Sequence, residues 1–136
     1  MKNFSAIKAA YIFLTLNSLL IIFHVLVLSS IIPYEYVWGG GLDSQIEMYI
    51  KESTALIVSL LFLVIVVARI RQIQQNRSQK LLTIAMWIMF ALFALNTVSN
   101  LYAEELMETL IFTPSALVLV LLSLRMTLWK STPEKK

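Results

Sequence analysis

The chain has 136 residues, of which 59% are hydrophobic and only 14% are charged, and its mean hydropathy is +0.79. A soluble protein of this length leaves much of its chain exposed to water, so this composition excludes an ordinary soluble domain. The net charge is +3 and cysteine is absent, which excludes disulfides, Fe–S ligation and CxxC redox chemistry.

Four stretches with few or no charged residues predict an all-α integral membrane protein, a bundle of four transmembrane helices. A spanning helix requires about 20 predominantly apolar residues. The predicted spans cover 9–32, 46–70, 80–103 and 112–129 within one membrane domain, 1–136. The first apolar stretch is longer than the core of a signal peptide and no A-x-A site follows it, so it is predicted to be a retained anchor.

The predicted ends of the spans follow from local signals. Ser44 and Glu47 have the spacing of a capping box, which predicts the start of the second helix. At its other end, we expect Arg69 to extend its side chain toward the membrane surface. Pro114 follows Thr113, which predicts a helix N-terminus there.

The connection 33–45 between the first two spans is predicted to lie outside the membrane. Pro33 ends the first span, and an aromatic cluster precedes the only glycines of the chain, Gly39, Gly40 and Gly41. Glycine permits positive φ angles and close approach of the backbone. The sequence is compatible with a flexible turn and with a lid over the bundle.

Charge asymmetry predicts the orientation in the membrane. Nearly all basic residues fall on one side of the predicted spans. The other side, which is predicted to be outer, has one basic residue, Lys51, and most of the acidic residues. Because basic residues in short loops favour the cytoplasm, both termini are predicted to be cytoplasmic in a multi-pass protein of the cell membrane. The size and short loops are typical of small bacterial inner-membrane proteins. The basic residues on the predicted cytoplasmic side are Lys2, Lys8, Arg69, Arg71, Arg77, Lys80, Arg125, Lys130, Lys135 and Lys136.

Polar residues within the spans predict a polar layer in the outer leaflet. A helix rises about 1.5 Å per residue, which places His24, Ser53 and Asn96 about 24 Å from the cytoplasmic charged layer. The half of the bundle nearer the cytoplasm is expected to be almost purely apolar. Converging polar faces would form an outward-facing pocket. Its candidate residues are His24, Glu52, Ser53, Asn96, Asn100 and Glu104.

The alternative is that these polar residues, with Asn17 and Ser59, only join helices to one another, as polar side chains commonly do in membranes. His24 is the only histidine of the chain. A histidine beside a carboxylate, such as Glu52 or Glu104, is typical of a proton-accepting group. A single histidine without a spaced ligand motif does not indicate a metal site. No motif indicates a catalytic nucleophile or a cofactor.

Three classes of function therefore stay open. The first is a non-enzymatic membrane subunit that acts through helix contacts in assembly, sensing or regulation, because no catalytic constellation is present. The second is an oligomeric small transporter or channel with the polar layer as its vestibule. The third is a binder or enzyme for a lipid, quinone or metal ligand at the outer leaflet. Expected partners are the lipid bilayer and a second copy or another membrane protein, and not nucleic acid.

Overall fold

The computed structural model describes residues 5–38, 41–102, 110 and 112–131. These ranges contain no strand, which confirms the predicted all-α bundle. In chain order, the described elements are α1 (Ala6–Leu28), a 3-10 helix (Tyr34–Tyr36), α2 (Gln45–Gln74), α3 (Lys80–Leu101) and α4 (Thr113–Thr127). The helices α1, α2 and α3 are each long and apolar enough to cross a membrane, and α4 is a shorter apolar helix.

Helix α1 begins and ends earlier than the predicted span. Its N-terminus is capped by the Ser5 hydroxyl, which accepts a hydrogen bond from the Ile7 amide at 3.2 Å. Its C-terminus closes where Ser30 adopts a φ of 58°. The Ile31 amide then donates to the Leu26 carbonyl, a bond that satisfies the last turn of a helix.

Helix α2 is capped at the predicted residue and extends past the predicted end. The Ser44 hydroxyl accepts a hydrogen bond from the Glu47 amide at 3.2 Å. At the other end, Asn76 adopts a φ of 50° and the Arg77 amide donates to the Gln72 carbonyl. Asparagine tolerates this left-handed conformation, so the helix stops there instead of continuing into α3.

The helices form an antiparallel ring. Helix α1 packs against α2 and α4, and α3 packs against α4, whereas α2 and α3 make the loosest neighbouring contact. Consequently α1 lies diagonally opposite α3, and α2 lies diagonally opposite α4. The loose seam between α2 and α3 is the feature of this arrangement that matters for the site.

One half of the bundle, near the α2–α3 connection, is packed solid. Phenylalanine rings interlock at its centre, with ring centroids 5.5 Å apart for Phe13 and Phe93 and 5.1 Å apart for Phe62 and Phe93. Met86 and Met126 are completely buried beside them. Such packing leaves little space along the axis of this half.

The connection between α1 and α2 folds over the opposite end of the bundle. Val37 and Leu42 of the connection are buried against Val27 of α1 and Met48 of α2. Of the two possibilities left open by the sequence, the described part of this connection fits a lid rather than a free turn.

Large apolar side chains cover the outside of the bundle. Leu19, Ile57, Leu95 and Leu121 are more than half exposed on the four helices in turn. A water-soluble protein rarely exposes so continuous an apolar surface, whereas a protein whose solvent is lipid exposes one by necessity.

The prediction that the Arg69 side chain extends toward the membrane surface is wrong. The prediction that the half of the bundle opposite the polar layer is almost purely apolar is also wrong. The Arg69 side chain is completely buried and points across the ring to α4. Its guanidinium donates to the carbonyls of Met126 at 2.8 and 3.1 Å, Thr127 at 3.3 Å and Trp129 at 2.9 Å. It also donates to the Gln72 amide oxygen at 2.7 Å. The carbonyls at the end of α4 carry partial negative charge and can accept further hydrogen bonds, so they attract the cation inward.

We expect Arg69→Leu to lower the free energy of unfolding by at least about 2 kcal/mol, because it removes several charged hydrogen bonds from buried carbonyls. Arg71→Leu is the matched control, since Arg71 is exposed on the same helix. Reversible unfolding of the detergent-solubilised protein measures both changes. Equal stability of the two variants would contradict the role of Arg69 in holding α2 to α4.

Candidate functional site

The site is organised around the buried carboxylate of Glu52 on α2, whose exposed fraction is 1%. One carboxylate oxygen, Oε2, lies 2.6 Å from Nδ1 of His24 on α1. The other, Oε1, accepts a hydrogen bond from the Trp38 indole at 2.7 Å. A buried carboxylate is costly unless its oxygens are satisfied, and here each oxygen has a partner from a different element.

Trp38 reaches Glu52 because of an unusual backbone conformation. Its φ is 55°, a left-handed value that is rare for a residue with a bulky side chain. The Trp38 carbonyl accepts a hydrogen bond from the Gly41 amide at 3.2 Å, which closes a turn. In the sequence, Trp38 is recognisable only as a member of the aromatic cluster that precedes the glycines. Its position directly before three glycines was the signal that its backbone is constrained.

The contacts of α1 with α2 repeat with a spacing of seven residues. Asn17 lies seven residues before His24, and Ser59 lies seven residues after Glu52. The Asn17 amide donates to the Ser59 carbonyl at 2.9 Å, while the Asn17 amide oxygen is buried without a hydrogen bond. The polar face predicted for α1 therefore lies against α2 and fixes the register of the two helices.

A cavity of about 480 Å³ occupies the half of the bundle near the α1–α2 connection. Its walls come from all four helices and the connection, and most of their side chains are apolar. His24 and Glu52 form one part of the wall, and Asn96 and Asn100 of α3 form another. Aromatic rings contribute from several directions: Phe23, Trp38, Phe62, Phe93 and Phe112.

The predicted site residues divide into three groups in the structure. His24, Glu52, Asn96 and Asn100 all line this one cavity. Ser53 is exposed on α2 and is not part of the wall. Glu104 lies outside the described residues.

The cavity is partly open to the outside of the bundle, and six of its wall residues are exposed: Trp38, Ile50, Thr54, Leu92, Asn96 and Ser115. Thr54 lies on α2, and Leu92 and Asn96 lie on α3. They belong to the two neighbouring helices that contact each other least.

Among the described residues, no group of three or more histidine, cysteine, aspartate or glutamate side chains is arranged to hold a metal ion. The polar side chains of the cavity wall can form hydrogen bonds. His24 and Glu52 form a hydrogen bond with each other, and the asparagine amides can donate and accept. The arrangement suits recognition of a polar group on an otherwise apolar molecule.

No known protein family matches the chain, and no curated protein or solved structure is significantly similar to it. The function is therefore inferred from the cavity and the residues that surround it.

A double-mutant cycle tests whether His24 and Glu52 act as a buried pair. We expect Glu52→Leu alone to destabilise the protein by about 3–5 kcal/mol, because it leaves the buried His24 side chain and the Trp38 indole without their partner. Adding His24→Leu should recover part of this loss, so that the two changes are far from additive. Reversible unfolding in detergent measures each variant.

The matched control is the exposed pair formed by Lys51 and Glu47, which lie 2.8 Å apart on α2. Its coupling should be much weaker than that of the buried pair, as for other surface pairs one helical turn apart, because solvent screens the two charges. Additive effects of His24→Leu and Glu52→Leu would show that the two side chains are not energetically coupled.

Proposed function

We propose that this protein is a non-enzymatic membrane subunit that binds an amphipathic small molecule in its cavity, with sensing or regulation as the consequence of binding. The observation that carries the proposal is the contrast between the two halves of the bundle. One half is packed solid, whereas the other is hollow beside a buried His24–Glu52 pair.

The size and lining of the cavity support a small-molecule ligand. Its volume of about 480 Å³ lies within the range of about 300–1,000 Å³ that small-molecule sites occupy. Such sites are mostly apolar and aromatic, with a few polar groups that orient the ligand. The phenylalanine rings and the polar groups of His24, Asn96 and Asn100 match that description.

The lateral opening supports a ligand that arrives from the bilayer. The seam between α2 and α3 exposes Thr54 and Leu92 to the surroundings of the bundle. An apolar molecule dissolved in lipid would reach the cavity there without crossing water. This route favours amphiphiles over water-soluble solutes.

The packed half favours a binder over a channel or transporter. Phe13, Met86 and Phe93 fill the axis beyond the cavity, and Arg69 ties α2 to α4 at that end. A conducting pathway through a single bundle would have to pass through this core. A closed-ended cavity suits a molecule that enters and leaves by the same opening.

We expect the purified protein to carry a bound amphiphile, and Ala55→Phe to expel it, because the new ring would enter the cavity from its α2 wall. Native mass spectrometry and organic extraction measure occupancy. Ala91→Phe is the matched control, since Ala91 is exposed on α3 away from the wall. Equal occupancy in the two variants, or none in the unmodified protein at any amphiphile concentration, would overturn the proposal.

We propose further that both termini are cytoplasmic and that the cavity opens into the outer leaflet. The support is the concentration of basic residues at the end opposite the cavity, as the positive-inside rule requires. The exposed Ser78, in the α2–α3 connection, would then face the cytoplasm, and the exposed Asp43 would face outward.

Because the chain has no cysteine, single cysteine substitutions report orientation directly. We expect a membrane-impermeant maleimide to label Asp43→Cys in intact cells. Ser78→Cys should react only after the membrane is permeabilised. The reverse pattern would show that the cavity faces the cytoplasmic leaflet.

A further inference from the structure

We infer that the ligand of this cavity is an uncharged, ring-shaped head group with hydrogen-bond acceptors at two opposite ends, of the quinone class, carrying an apolar tail. The inference rests on the proposed binding function and specifies its ligand. It follows from which polar groups of the wall are already engaged, which are available, and where the available ones lie.

The charged groups of the wall already have partners. Both carboxylate oxygens of Glu52 are engaged, one by His24 and one by Trp38. Lys51 lies at the edge of the cavity, where its ammonium is 2.8 Å from the carboxylate of Glu47 and 5.7 Å from the centre of the Trp38 ring. A charged head group would find no unpaired counter-charge among these residues, and an uncompensated charge in an apolar cavity is strongly disfavoured.

The available polar groups lie on opposite walls. His24 uses Nδ1 to contact Glu52, and its other nitrogen, Nε2, has no hydrogen bond within the described part of the chain. Asn96 and Asn100 lie one turn apart on α3, and neither amide has a hydrogen bond among the described residues. Helices α1 and α3 are diagonal in the ring, so these groups flank the cavity from its two sides.

Donors on opposite walls select a ligand with acceptors at both ends. Each asparagine amide has two N–H donors, and Nε2 of His24 is a donor whenever the imidazole is protonated beside the Glu52 carboxylate. A 1,4-quinone carries two carbonyl acceptors on opposite sides of one ring, without net charge. Thr54, by contrast, uses its hydroxyl to donate to the Ile50 carbonyl at 2.8 Å.

The rest of the cavity suits the ring and tail of such a molecule. Phe23 and Phe112 contact each other with ring centroids 5.2 Å apart, and both line the wall. Aromatic side chains favour offset or edge contacts with another ring. A prenyl tail could leave through the α2–α3 seam past Leu92 and remain in lipid.

Isothermal titration calorimetry on delipidated protein in detergent tests the inference with four probes that share a decyl tail. The probes are a decyl-substituted 1,4-benzoquinone, decylbenzene, decyl phosphate and decyltrimethylammonium. We expect the quinone to bind at least about tenfold more tightly than each of the others, the factor that one well-placed hydrogen bond supplies.

We further expect Asn96→Leu combined with Asn100→Leu to weaken quinone binding by about tenfold or more. The same change should leave decylbenzene binding unaltered. Both asparagines are at least partly exposed, so the helix should tolerate leucine there. Ser99→Leu is the matched control, because Ser99 is exposed on the same helix and does not line the cavity.

The outcomes separate this inference from the proposed function. Equal binding of quinone and decylbenzene, or tighter binding of a charged probe, would overturn the quinone assignment while the cavity remained a binding site. Quinone binding that is insensitive to the asparagine changes would overturn the assignment as well. Failure of all four probes to bind, with Ala55→Phe changing nothing, would overturn both.

Discussion

The carboxylate of Glu52 is the constraint on which the hollow half of this bundle depends. A buried charge in a membrane protein must be paired, and its partners have to be brought from elsewhere in the chain. His24 supplies one partner from α1, and Trp38 supplies the other from the connection that covers the end of the bundle. The requirement to satisfy two oxygens therefore fixes α1 against α2 and holds the connection in place. That arrangement joins α1 and α2 on one side of the cavity, while α3, which packs against α4, meets α2 at the loosest seam of the ring.

Arg69 plays the corresponding part at the other end. Its cation has no acidic partner among the described residues; instead it donates to carbonyls at the end of α4, which carry the partial negative charge of the helix dipole. Because α2 and α4 lie diagonally opposite each other, this contact links two helices across the ring. Buried phenylalanine and methionine side chains fill the space between the helices at this end. The seam between α2 and α3 has no such polar contact among the described side chains, which is consistent with its being the loosest.

These two polar centres lie in the filled half and the hollow half of the molecule. The filled half argues against conduction through the bundle, and the hollow half contains an apolar cavity with hydrogen-bonding groups on facing walls. An uncharged amphiphile suits this cavity better than an ion does, because the charged side chains of the wall already pair with other residues that hold the helices together. On this view, the same pairing that stabilises the fold also sets the chemical character of the proposed ligand.

The sequence by itself determined the all-α membrane bundle, because helices in lipid must be apolar and satisfy their own backbone hydrogen bonds. It also identified His24, Glu52, Asn96 and Asn100 as polar residues at one depth, since depth follows from the helical rise alone. Only the tertiary structure decided which way each side chain turns. It directed Arg69 inward instead of toward the membrane surface, left Ser53 on the outside, and brought Trp38 to Glu52. Those outcomes depend on which helix faces which, and on the left-handed turn at Trp38, and neither is encoded in hydrophobic periodicity.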